Sequence, residues 1–380
     1  MLANGNERGL WRRTRVSEFL GIEYPIIQAP LGGYASQVLS ATVSNSGGLG
    51  SLGALALGST AIREAIEELR SLTQKPFAIN LWVSTSDPDL GRVSREMLEM
   101  KFRQLKAFYA ELGVPQPTQI EAKPQDFDVQ VRAALDARCP VLSFFYGVPP
   151  RDVLKECQRL AIRTIGAATT PAEAMALEDV GIDIIVATGS EAGGHRGSFL
   201  DSPGNAHIGG LSLIPQVVDT VRAPVVAAGG IADGRGLIAA LALGAEGVQM
   251  GTAFLACKGS GVGDGYRATL LSPGTKRTEL TDALTGREAR GLSNRLMQRV
   301  IALHDAALPF PLQHAVVQTV ARPAAEQNKG ELMTIWAGQS AGLCRFEAAT
   351  ELMNRLVGDA NQFFGDPLPS VAVRLRSLAP

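Results

Sequence analysis

The chain has 380 residues, 46% hydrophobic and 19% charged, a composition that supports a large buried core and argues against disorder. Its 36 basic and 37 acidic residues leave a formal charge of -1, which offers no electrostatic footprint for nucleic acid or an anionic membrane surface. No run of about 18 uninterrupted apolar residues is present and the opening MLANGNERGLWRRTRV lacks an apolar signal core, so a cytoplasmic protein without a membrane span is expected.

The short basic cluster Arg12, Arg13 and Arg15 reads as a solvated N-terminal arm. Beyond it, apolar runs bounded by Gly or Pro alternate with stretches of helical period. The runs are residues 24–30 (YPIIQAP), 49–54 (LGSLGA), 77–82 (FAINLW), 141–147 (VLSFFYG), 163–169 (RTIGAAT), 182–189 (IDIIVATG), 223–230 (APVVAAGG) and 247–254 (GVQMGTAF). They are apolar nearly throughout, the pattern of strands covered on both faces. Helices are expected between them. One spans 59–72, with Thr60 as candidate N-cap and Glu64 as a first-turn acid. Another opens at Thr170-Pro171, and a third runs from a capping Asp233 to a glycine stop at Gly244. Eight such units predict an α/β chain folded as a (β/α)8 TIM barrel with right-handed crossovers.

The barrel is expected over 15–258, with an extra charged helix at about 91–112. Residues 259–330 show no clear strand and read as a mainly helical appendage that caps the site, contributes a dimer contact or adds core cover, which leaves a homodimer open. Residues 331–358 read as a return segment closing on the barrel, with a last helix at about 344–356. The cysteines 139, 157, 257 and 344 form no CxxC pair, so free thiols are expected and no metal site.

In such barrels the working face is the carboxyl end of the strands, with phosphate commonly bound after the last two. The seventh run ends in Gly229-Gly230, and the eighth in Gln249-Met250-Gly251-Thr252. Glycines let backbone N–H groups approach an anion, and Thr252 offers a hydroxyl donor. The loop after the sixth run, GSEAGGHRG, sets His195 between flexible glycines on the same face, as a general base would be. Glu191 in that loop is a supporting partner or a helix-capping acid. His207, His304 and His314 read as ordinary surface or core histidines. Asn80 is oddly polar at the end of an apolar run, where its amide suits the edge of a flavin-like ring or a hydrogen bond to a neighbouring loop. The GGLG at 47–50 precedes a strand and so starts no dinucleotide fingerprint.

PIIQAP, SNSGGLGSLG, PFAINLW, GSEAGGHRGSF, PVVAAGGIADGRG, GAEGVQMGTAFL and TGREARGLSNRLM together resemble the nitronate monooxygenases, in that family's order, from about residue 24 to 342. The resemblance implies a barrel holding FMN without a covalent link. It implies oxidation of alkyl nitronates or nitroalkanes by O2 to a carbonyl compound and nitrite, with His195 as catalytic histidine. The cofactor-binding set it implies is Gln28, Asn80, Thr188, Gly193, Gly194, Gly229, Gly230, Gln249, Met250, Gly251 and Thr252. The late WAGQ resembles the branch acting on propionate 3-nitronate. Two departures stand out: Thr188 where many relatives carry Gln, and Leu31 where Met is common. Two other readings remain at this point: an NAD(P)H-dependent flavin reductase for quinones or enoyl thioesters, and a flavin-free barrel for a phosphate ligand.

Overall fold

The structure is a computed structural model and describes residues 10–200, 203–273, 277–303 and 306–365. His304 lies outside the described residues. All eight expected strands form: β1 (Ile26–Gln28), β2 (Gly50–Gly53), β3 (Phe77–Trp82), β4 (Val141–Phe145), β5 (Arg163–Ala168), β6 (Ile184–Thr188), then, after a two-residue β7 (Gly194–His195), β8 (Val225–Ala228) and β9 (Gly247–Met250). They pair in parallel in the order β1-β9-β8-β6-β5-β4-β3-β2, and a bridge from Ile27 to Leu49 closes the barrel.

The double apolarity of the strands follows from this closure. Ile79, Leu81, Leu142, Phe144, Ile185, Ala187 and Val248 face the helices, while Ile27, Ala78, Val141, Ile165, Ile184, Val186 and Val226 fill the barrel. Val16 and Leu20 of α1 (Arg15–Leu20) join that inner cluster. Because side chains alternate along a strand, the next inward positions toward the carboxyl ends are Asn80, Ser143 and Thr188, and Gln249 points inward between Val248 and Met250. An apolar layer therefore carries a polar one at the mouth.

The helical ring comprises α2 (Gln37–Asn45), α3 (Ser59–Leu72), α6 (Phe127–Asp136), α7 (Arg151–Arg159), α8 (Pro171–Val180), α9 (Gly210–Thr220) and α10 (Gly234–Ala242), with the inserted α4 (Arg95–Gln104) and α5 (Lys106–Leu112). Two of the expected caps form. Thr170 accepts the Glu173 N–H at 3.2 Å, and Asp233 accepts those of Arg235 and Gly236. Gly244, at φ +92°, ends α10. Thr60 is not a cap: α3 spans the expected 59–72, but its N-cap is Gly58, two residues before Thr60, which leaves Glu64 beyond the first turn.

The extra helix is two helices broken at Leu105, so that Phe102, Leu105, Phe108 and Tyr109 all enter a second core. That core is shared with α12 (Asp264–Leu271), α13 (Arg295–Ala302) and α14 (Leu312–Glu326), which follow the short α11 (Thr252–Ala256). The insert thus packs on the appendage. The appendage is not free of strands. β10 (Thr278–Thr281) and β11 (Ala289–Leu292) form an antiparallel hairpin, and β7 adds to it. The final helix is α15 (Ala349–Gly365), longer and later than expected, and it lies against α10 and α2 in the ring.

Candidate active site

Three segments meet beyond the ends of β8 and β9. Gly229 and Gly230 have φ of +97° and +73°, a region that side-chain-bearing residues adopt at a cost. A Cβ on Gly230 would meet nothing closer than 3.7 Å, so the space in front of its backbone is open. The same holds at Gly251, where the nearest neighbours would be Ala29 and Leu31. Thr252 Oγ1 accepts the Gly338 N–H at 3.0 Å, which leaves its own proton free to donate outward. Ser340 donates to Gly230 O and completes the rim.

The loop after β6 owes its glycines to other contacts. A Cβ on Gly193 would stand 2.5 Å from the Ala337 carbonyl carbon and the Gly338 nitrogen, and one on Gly338 would reach Glu191 O at 2.8 Å. Gly193 therefore serves backbone packing on the side where a Cβ would lie, while the residue itself stays exposed. Gly194 needs its φ of +79° to enter β7. The Glu191 carboxylate accepts the Gly210 N–H at 2.8 and 2.9 Å and so caps α9 from outside, which settles its two readings.

Asn80 donates to Ser143 Oγ at 3.0 Å and to Ser143 O at 3.3 Å, leaving its own oxygen toward the mouth. Thr188, at the end of β6 and separated from Asn80 by β5 and β4, also takes an inward position, with its carbonyl held by buried Arg196. Two side chains take other directions. Gln28 Nε2 donates to Ala29 O (3.0 Å) and Ser51 O (2.8 Å) and so supports the turn, while its Oε1 is buried without a hydrogen-bond partner. Met250 is 1% exposed and packs between barrel and helices, which leaves only its backbone for a ligand.

His195 is held by a strand, not by a flexible loop. β7 pairs His195 with Ala289, and the next N–H, of Arg196, donates to Glu288 O at 2.8 Å. The imidazole lies among Trp82, Phe310 and Trp336, with ring centroids 4.9, 5.8 and 5.5 Å away. Its Nε2 lies 3.1 Å from Thr285 Oγ1. Burial, reinforced by His314 and the Arg287 charge, pushes its pKa down to about 3, so the ring is neutral at ordinary pH.

Sequence reading missed the walls of this chamber. Tyr146 follows β4 at φ +57°, and its phenol oxygen is buried without a hydrogen-bond partner. Arg287 stacks on the rings of Tyr146 (4.6 Å) and Phe310 (4.7 Å) while pairing with Asp87 at 2.8 Å. Arg196 binds the carbonyls of Thr188, Thr169 and Ala206, and burial lowers it to about 10. Glu173, fully buried, accepts from the backbone of Thr169, Phe199 and Leu200 and anchors the chain beyond His195. Tyr146 was findable from its place at a strand end and Thr285 opens the TGREARGLSNRLM motif, though nothing in that motif links it to His195; Phe310 carries no local signal. Of the other histidines, His207 pairs with Glu288 at 2.7 Å, whereas His314 is close enough to lower His195.

The residues present fit a flavin phosphate. The space a Cβ would fill at Gly230 and Gly251, with the free Thr252 proton, suits a phosphate, and Asn80, Thr188 and Gln249 suit a ring edge. Among the described residues no helix is long and apolar enough to cross a membrane, no His/Cys/Asp/Glu cluster fits a metal ion, and the four cysteines are free.

Residues 13–359 match the family model described as nitronate monooxygenase. A protein of Staphylococcus haemolyticus named probable nitronate monooxygenase is 38% identical over 92% of this chain and 97% of its own length. A Staphylococcus aureus protein of the same name is 37% identical over 93% and 99%. Among solved structures, nitroalkane oxidase from Streptomyces ansochromogenes superposes with a TM-score of 0.82 at 36% identity, over 91% of this chain and 98% of that one. FabK from Thermotoga maritima superposes at 0.73 with 28% identity, over 96% and 99%.

Proposed function

The chain belongs to the nitronate monooxygenase family, and from that premise we propose that it binds FMN at the barrel mouth and uses O2 to convert nitroalkanes or their nitronates to a carbonyl compound and nitrite. The observation that carries this reading is the imidazole of His195 set in an aromatic chamber at the barrel mouth that also holds the open glycine cradle. Backbone at Gly230 and Gly251 with the Thr252 hydroxyl would hold the phosphate, and Asn80, Thr188 and Gln249 would meet the ring edge. When bound, the flavin supplies the electron acceptor and the route to dioxygen.

The chain's own residues do the rest. His195 removes the α-proton of a neutral nitroalkane, a step that a positioned base speeds by about 10²–10⁴-fold. Trp82, Phe310 and Trp336 keep water from the resulting nitronate. The nearby guanidinium groups are engaged: Arg287 with Asp87 and Ser84, Arg196 and Arg290 with backbone carbonyls. This favours substrates without a second anionic group over propionate 3-nitronate.

The test is oxygen uptake and nitrite release by the flavin-loaded protein given nitroethane or its nitronate. NAD(P)H oxidation without nitrite formation would replace this reading with the flavin reductase, and a colourless protein that takes up no FMN would replace it with the flavin-free barrel.

A further inference from the structure

We propose that Thr285 sets the tautomer of His195, placing the proton on Nε2 and leaving Nδ1 as the nitrogen that receives the substrate proton. The catalytic half of this inference rests on the reading of His195 as the base.

A threonine hydroxyl has one proton and two lone pairs. Thr285 Oγ1 lies 2.7 Å from Arg287 O, a group that only accepts, so the proton points there. The Arg287 N–H donates back to the same oxygen at 3.2 Å. The lone pair that remains faces His195 Nε2 at 3.1 Å, and Nε2 must then be the donor. Nδ1 has no hydrogen-bond partner among the described residues, and it carries the free lone pair of the neutral ring.

The hydroxyl cannot readily turn away. Thr285 is fully buried in a turn in which its own N–H and that of Gly286 both donate to Asp282 O. Gly286 has φ +92°, and a Cβ there would stand 2.3 Å from Leu308 O. The aromatic walls hold the imidazole plane in turn. In the proton transfer, the substrate C–H electron pair stays on the substrate as nitronate and the proton goes to Nδ1. The imidazolium so formed keeps its Nε2–H on Thr285 Oγ1, whose own proton remains on Arg287 O. Thr285 is thus a positioning residue.

The experiment uses the full-length FMN-loaded protein labelled with 15N at histidine, and long-range proton–nitrogen correlation, with His195 assigned by its loss in H195N. The wild-type ring is expected as the Nε2–H tautomer. T285V should shift it toward Nδ1–H or a mixture and lower kcat on neutral nitroethane by about 10–100-fold, with turnover of preformed nitronate within about 3-fold of wild type. T285S should restore both readouts. An Nδ1–H tautomer in the wild type, which needs no variant to observe, would overturn the proposal, as would a T285V enzyme whose ratio of nitroethane to nitronate turnover is unchanged. Normal nitroethane turnover by H195N would instead overturn the base reading and the catalytic half with it, while the spectrum still decides the hydrogen bond.

Discussion

Gly193 and Ala337 approach so closely that a Cβ on the glycine would stand 2.5 Å from the Ala337 carbonyl carbon. The loop bearing His195 and the segment bearing Trp336 and Gly338 are therefore locked face to face, and the Gln339 N–H donates to Glu191 O at 2.9 Å across the same seam. Gly193→Ala is expected to push them apart, at an overpacking cost of about 1–3 kcal/mol. A lowered urea midpoint together with reduced nitroethane turnover is the expected pair of results; unchanged stability would contradict the contact.

The cradle makes a different prediction. Gly230 has open space ahead of it but a φ of +73°. Gly230→Ala should cost about 1–2 kcal/mol in backbone strain and intrude on bound phosphate. The readout is flavin absorbance that survives gel filtration: wild type should keep its FMN and the variant should lose most of it. Full retention would place the phosphate elsewhere.

Burial lowers His195 to about 3 and His314 to about 4. The unfolded chain protonates both near pH 6.5, whereas the folded chain does so only far below. Their contribution to stability is complete above about pH 6.5 and declines as pH falls toward those values, by up to about 1.4 kcal/mol per pH unit for each. The drop in urea midpoint from pH 7 to pH 5 should be smaller in His314→Gln than in wild type, and an equal drop would refute the assignment. In kinetics, kcat/KM for neutral nitroethane should show no imidazole limb between pH 5 and 8.

Tyr146 carries a buried phenol oxygen with no partner. Replacing both the group and its unmet demand should be nearly neutral, so Tyr146→Phe is expected within about 0.5 kcal/mol of wild type in stability. If substrate satisfies that oxygen, KM for nitroethane should rise by about 5-fold or more with flavin content unchanged. A destabilised variant with unaltered KM would mean that the phenol has a structural partner.

Because Arg287, Arg196 and Arg290 are all engaged, a substrate carboxylate entering the chamber would be desolvated without a cation to meet it. The nitronate of 1-nitropropane should be used with kcat/KM at least about 10-fold above that of propionate 3-nitronate. The reverse preference would show that one guanidinium is released on binding.

Local chemistry alone determined the barrel and the glycine turns at its mouth. Apolar runs such as IIVAT can be buried on both faces only in a covered parallel sheet, and Gly229, Gly230 and Asp233 carry turn and cap signals that need no distant partner. Those features were legible because each depends on a few neighbouring residues.

Tertiary structure decided the rest. β10 and β11 read as polar, irregular chain because their stability comes from pairing with each other and with β7, and the run ARGL holds a buried arginine that pays its way through Ser190 O. Gln28 and Met250 sit in cofactor-like motifs, yet Gln28 Nε2 supports a turn and Met250 packs between barrel and helices, since side-chain direction alternates with strand register and a motif carries no register. His195 stood out by its flanking glycines, but its neutral state and its facing nitrogen depend on Thr285, Phe310 and Trp336, up to 141 positions along the chain. Burial and hydrogen bonding across such separations exist only once the chain has folded, and no local pattern encodes them.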